Sequence, residues 1–170
     1  MGLWNQIRAT LSAVWADIQS PRVDEHTQLI TWLTQSGRAE HGLSLQILQI
    51  IPAIPYVQFR QRLEVMARDD EQHATLLQQH LGILGGTAWE LQRASDGSEN
   101  NLPTSPWRRV LRVLLEKREL YERYHQAVSV ADDSSLQTVL QQLRDDEERH
   151  QEELIEMLMQ LDAHVHETIN

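Results

Sequence analysis

Asp70 stands three residues before His73, and Glu147 stands three residues before His150. On an α-helix such a pair shares one face, so each motif presents a carboxylate beside an imidazole. The surrounding strings run in parallel. Arg68-Asp69-Asp70-Glu71-Gln72-His73 and Arg144-Asp145-Asp146-Glu147-Glu148-Arg149-His150, aligned on their histidines, set Asp70 against Glu147. Two further acids fall at matching depth on the helices that precede these motifs. Glu40 lies 33 residues before His73, and Glu116 lies 34 residues before His150, with Glu119 one turn further on as the alternative. Four carboxylates and two imidazoles brought to one point in a core would repel each other and retain protons unless cations neutralise them. Two divalent metals would do so. Carboxylate oxygens with one imidazole per ion suit Fe or Mn. Open positions on such ions would admit O₂ or peroxide, and the expected reaction is oxidation of ferrous iron, or reduction of the oxygen species. The competing reading is metal-free. In it Asp70, His73, Glu147 and His150 form a buried hydrogen-bonded network, with Arg68, Arg123 or Arg144 as the countercharge, inside a bundle that serves as an interaction or scaffold protein.

These side chains meet only if long helices carry them inward. The stripe Leu29, Leu33, Ser36, Glu40, Ser44, Ile47 and Ile51 recurs at three- and four-residue steps and predicts a helix from Ser20-Pro21 to about Ile51. Pro52 and Pro55 bracket a corner. A second helix is predicted from about Tyr56 to Gly82, with Phe59, Leu63, Met66, Asp70, His73, Leu77 and Leu81 on its face. Ser105-Pro106 opens a third as cap and first turn. There the stripe through Val113, Leu120 and Ala127 favours Glu116 over Glu119. A fourth runs from about Leu136 to Val165, with Leu136, Val139, Leu143, Glu147, His150, Leu154, Met157 and Leu161 inward. Short turns join the first pair and the last pair, which makes two antiparallel hairpins. A Gly-, Ser-, Asn- and Pro-rich stretch at about 84–105 is long enough to cross the bundle from end to end. The expectation is one all-α domain over 1–170: an amphipathic N-terminal helix at 1–19 and a four-helix bundle at 21–165 with one long crossover. The N-terminal stripe Leu3, Trp4, Ile7, Leu11, Val14, Trp15 and Ile18 is expected to dock or dimerise, giving a homodimer.

Composition removes other classes. The chain of 170 residues has no Cys, which excludes disulfides, iron–sulfur clusters and thiolate chemistry. A formal net charge of −10 repels a phosphate backbone, so nucleic-acid binding is not expected. Lys117 is the single lysine, and nothing in its sequence surroundings supports a Schiff base. No apolar run is long enough for a transmembrane span, and the N-terminus lacks the features of a secretory signal, so a cytoplasmic location is expected. Gly85-Gly86 lacks the strand and the Lys-Ser/Thr of a phosphate cradle, and no local nucleophile motif occurs. His26, His41, His80, His125, His164 and His166 read as residues outside the ring. Tyr121 and Tyr124 lie near its level, where either can pack or hydrogen-bond a carboxylate.

The layout resembles the ferritin-like di-iron superfamily, with its rubrerythrin and bacterioferritin branches, over roughly residues 25–165. In that family one glutamate from each of two helices joins a Glu-x-x-His motif from each of the other two. The resemblance implies Glu40 as the first-helix ligand, Asp70 and His73 in the second, Glu116 (or Glu119) in the third, and Glu147 and His150 in the fourth. Asp70 and Glu147 would bridge. It implies two Fe or Mn ions and a redox activity, with the electron donor unnamed. Asp70 is one methylene shorter than the family's Glu, and this leaves one ion, or none, as alternatives. The hairpin spacings are a few residues shorter than usual. No Cys₄ domain accompanies the bundle, which excludes an ordinary two-centre rubrerythrin. The chain also ends soon after the fourth helix, which disfavours a storage shell.

Overall fold

The computed structural model describes residues 25–89 and 105–167, with side chains described as far as residue 160. Among them the backbone is helical, without strands. Helix α1 spans Glu25–Ile50 and passes into a 3₁₀ turn at Ile51–Ala53. Helix α2 spans Val57–Ile83, α3 spans Pro106–Val130 and α4 spans Ser134–Glu167. The expected N-terminal helix at 1–19, the crossover beyond Trp89 and the side chain of Leu161 lie outside the described residues. No helix among the described residues is long and apolar enough to cross a membrane.

Each boundary has a local cause. Pro52 sits in the first turn of the 3₁₀ segment, and Ile54 then adopts extended backbone, so α1 cannot continue. At the end of α2 the chain closes a Schellman motif. Gly86 N–H donates to Leu81 C=O at 2.9 Å and Gly85 N–H to Gly82 C=O at 3.0 Å, with Gly85 at φ 76°. Ser105 caps α3, its Oγ accepting from Arg108 N–H at 3.4 Å, and Pro106 fills the first turn. Asp133 caps α4, its carboxylate accepting from Leu136 N–H at 2.7 Å.

α1 packs along α2, and α3 along α4; α1 also meets α3, and α2 meets α4. The core is aliphatic above and below a polar layer. Leu33, Ile47, Leu63, Leu77, Leu81, Leu140, Leu143 and Leu154 are fully buried. Trp89, just past the Schellman turn, folds back over α1. A Cβ built on Gly37 would lie 2.1 Å from its Cη2. Gln78 Nε2 reaches the Trp89 carbonyl at 3.5 Å.

Candidate metal centre

Eight polar or charged side chains lie buried among the described residues, and six of them belong to one layer: Glu40, Asp70, His73, Lys117, Glu147 and His150. Their helices place them there by the same periodicity that buries leucine. On α1 the inward row is Leu33, Ser36, Glu40, Leu43 and Ile47; on α2 it is Leu63, Met66, Asp70, His73 and Leu77. On α4, Leu143, Glu147, His150 and Leu154 follow the same steps. A polar layer in mid-core stays folded only if its groups compensate one another.

Lys117 stands at the centre. Its Nζ donates to Asp70 Oδ1 at 2.5 Å and to Glu147 Oε1 at 2.7 Å, and lies 3.8 Å from Glu40 Oε2. Tyr124 Oη donates to Glu40 Oε1 at 2.6 Å. The imidazoles complete the layer. His73 Nδ1 lies 3.4 Å from Glu40 Oε1, and His150 Nδ1 lies 3.7 Å from both Asp70 Oδ1 and Glu147 Oε1. One ligand atom each from Glu40, Asp70, His73 and Glu147 falls within 4.8 Å of the others, so this buried group can hold a metal ion.

The outer ring nitrogens are fixed by an exchange between helices. His73 Nε2 lies 3.2 Å from Asp146 Oδ2, and His150 Nε2 lies 3.2 Å from Asp69 Oδ2. Each histidine is thus oriented by the acid that precedes the other motif. Arg149 joins the two acids, its Nη2 donating to Asp69 at 3.0 Å and to Asp146 at 2.9 Å. Both rings turn Nδ1 inward, the orientation in which a carboxylate-backed imidazole ligates a metal.

Five buried polar atoms of the layer have no hydrogen-bond partner: Glu40 Oε2, Asp70 Oδ2, Glu147 Oε2, His73 Nδ1 and His150 Nδ1. Unpartnered buried acceptors are costly, about 1–3 kcal/mol each. Their convergence on one layer matches the donor set of a cation bound by oxygen and nitrogen. Charge is meanwhile balanced by Lys117 and by protons. Burial pushes Asp70 up to about 7 and Glu147 up to about 8, although Lys117 pulls both the other way. Burial raises Glu40 as well, but Lys117 and its contacts with His73 and Tyr124 outweigh it and hold the group below its ordinary value. Burial also opposes charge on His73, yet Asp146 and Glu40 raise it to about 10. Burial together with Lys117 lowers His150 to about 4. Burial disfavours the Lys117 ammonium too, but the three carboxylates prevail and keep it charged.

Five of the six residues expected from the sequence come together. The sixth does not. Glu116 is half-buried and accepts from Gln46 Nε2 at 2.9 Å, while Glu119 is exposed. Both line a groove between α1 and α3, with Arg123. The inward residue of α3 is Lys117. The expected arginine countercharge is also replaced. Arg68 is exposed, and Arg144 pairs with Asp145 at 2.6 Å on the surface. His41 and Glu71 pair at 2.7 Å and tie α1 to α2 outside the layer. Asp69, Asp146 and Arg149 lie outside the six expected residues; their signal in the sequence is the Asp repeated before each motif. The chain matches no family model and no curated protein sequence.

Proposed function

We propose that this chain is a ferritin-like bundle that binds a divalent redox metal, Fe or Mn, and acts on O₂, peroxide or ferrous iron. The convergence of five unpartnered buried donors, two of them imidazole Nδ1 atoms backed by carboxylates, carries the reading. Helix order supports it. Glu40 pairs with Tyr124 and Gln46 with Glu116, so α3 runs antiparallel to α1. Arg62 pairs with Glu156 and Asp69 with Arg149, so α4 runs antiparallel to α2. With two hairpins this makes α2 parallel to α3, a helix order that supports the long crossover implied by the sequence resemblance.

Glu40, Asp70, His73 and Glu147 would hold the ion, with His150 beside them. A bound Fe or Mn would supply one-electron redox chemistry. The protein's part is to exclude water and to fix the ligands. Leu77, Leu143 and Leu154 are fully buried around the polar layer. Asp146 and Asp69 lie 3.2 Å from the Nε2 atoms of His73 and His150; accepting from Nε2–H, they would turn each Nδ1 toward the ion. Tyr124 holds Glu40 Oε1 and leaves Oε2 available.

Untagged full-length protein, reconstituted anaerobically with ferrous iron and desalted, is expected to retain iron by elemental analysis. E147A/H150A is expected to lose it. On exposure to air, the loaded protein should consume O₂ faster than the double variant. Iron retained without O₂ uptake leaves a metal binder that does not turn over. A metal-free bundle serving as an interaction or scaffold protein is the second reading, and the ion pairs of Lys117 with Asp70 and Glu147 favour it. Wild-type protein that retains neither iron nor manganese would decide for it.

A further inference from the structure

The ammonium of Lys117 and the unpartnered donors use different atoms of the same carboxylates. Lys117 Nζ takes Asp70 Oδ1 and Glu147 Oε1. The second oxygens, Asp70 Oδ2 and Glu147 Oε2, are buried without a hydrogen-bond partner, as are Glu40 Oε2 and the two Nδ1 atoms. The layer therefore already holds one cation and still keeps five buried polar atoms without a hydrogen bond. Resting on the metal-binding reading above, we propose that Lys117 is a permanent resident cation and that the site takes one divalent ion beside it.

The charge count supports a single ion. Once an ion has displaced the protons, Glu40, Asp70 and Glu147 contribute three negative charges, Lys117 returns one, and one divalent cation with neutral imidazoles brings these six buried residues to zero. Two divalent cations would leave a surplus of two positive charges on these six buried residues, which is unfavourable. Geometry agrees. A second ion near Asp70 Oδ1 and Glu147 Oε1 would have to stand where Nζ already lies, 2.5 and 2.7 Å from those atoms. Replacing Lys117 with Glu reverses both conditions. It removes the ammonium and adds a fourth carboxylate on α3, and four negative charges are neutralised by two divalent ions.

Because Lys117 is the only lysine, full-length protein labelled with [¹⁵N]lysine carries one side-chain ammonium signal. Titration of untagged apo protein with Zn(II) should saturate at one ion per chain. The Lys117 ammonium signal should shift but persist, protected from solvent. Mn(II) loading, read by elemental analysis, should give one ion in wild type and two in K117E. Two ions in wild type, disappearance of the ammonium signal on binding, or one ion in both proteins overturns the assignment of Lys117 and leaves metal binding standing. Wild-type protein that takes up no ion overturns the assignment together with the reading beneath it. If K117E does not fold, the wild-type stoichiometry and the ammonium signal decide the matter alone.

Discussion

Tyr124 and Arg149 bear on the polar layer from opposite directions. The tyrosine hydroxyl is buried and holds one oxygen of Glu40. A hydrogen bond to a buried charged acceptor is worth about 1.5–3 kcal/mol. Y124F is thus expected to lower the stability of the metal-free protein by about 2 kcal/mol, read as a shift in the urea midpoint at unchanged slope. Arg149 is partly exposed and touches neither histidine, yet it fixes the two acids that orient them. R149A should weaken Zn(II) binding roughly tenfold in competition with a chromophoric chelator, the usual scale for outer-shell partners. R149K should recover part of the loss, and unchanged affinity in R149A would remove Arg149 from the support of the site. Lys117 shows why the residue scale was only partly legible in the sequence. Acids three residues before a histidine announce a ligand, whereas a single lysine among fourteen arginines carries no motif. Its role becomes visible only when three carboxylates from other helices surround it.

Helix α3 contains the signal that would have corrected the reading. Its buried row is Val110, Val113, Lys117, Leu120, Tyr124 and Ala127, a strict alternation of three- and four-residue steps. Glu116 breaks that alternation and Lys117 keeps it. The expectation of an acid in that place outweighed the period. On α1, α2 and α4 the buried acids and histidines sit in the apolar rows themselves, so there period and chemistry agree. Two glycines on α1 separate packing from propensity. Gly37 lies under Trp89, and any Cβ there meets the indole at 2.1 Å, whereas Gly42 faces open space. G42A should stabilise by about 0.5–1 kcal/mol, the helix-propensity gain. In G37A the clash outweighs that gain, because a rigid ring must move, and overpacking costs about 1–3 kcal/mol. Thermal melts of the two variants should therefore shift in opposite directions. The seat of Trp89 on Gly37 has no signal in the sequence, since that contact joins residues about fifty positions apart.

For the molecule as a whole, a ligand that binds only the folded bundle stabilises it by mass action. At one hundred times its dissociation constant it contributes about 2.7 kcal/mol. For a domain of this size that is a rise in Tm on the order of 5–10 °C. Saturating Mn(II) should raise the Tm of wild type by that amount, a chelator should reverse it, and E147A/H150A should show no rise. The bundle was legible because four long periodic stripes and two short turns leave little choice of packing; the cluster's charge balance was not, because it depends on side chains meeting across helices. Placing the chain's sole ε-amino group at the bottom of the core also sets its covalent chemistry apart. Acylating reagents, and enzymes that conjugate to lysine, meet no such amine on the surface of the native fold. Reaction at Lys117 can proceed only through opening of the bundle, so its acylation rate becomes a clock for that opening.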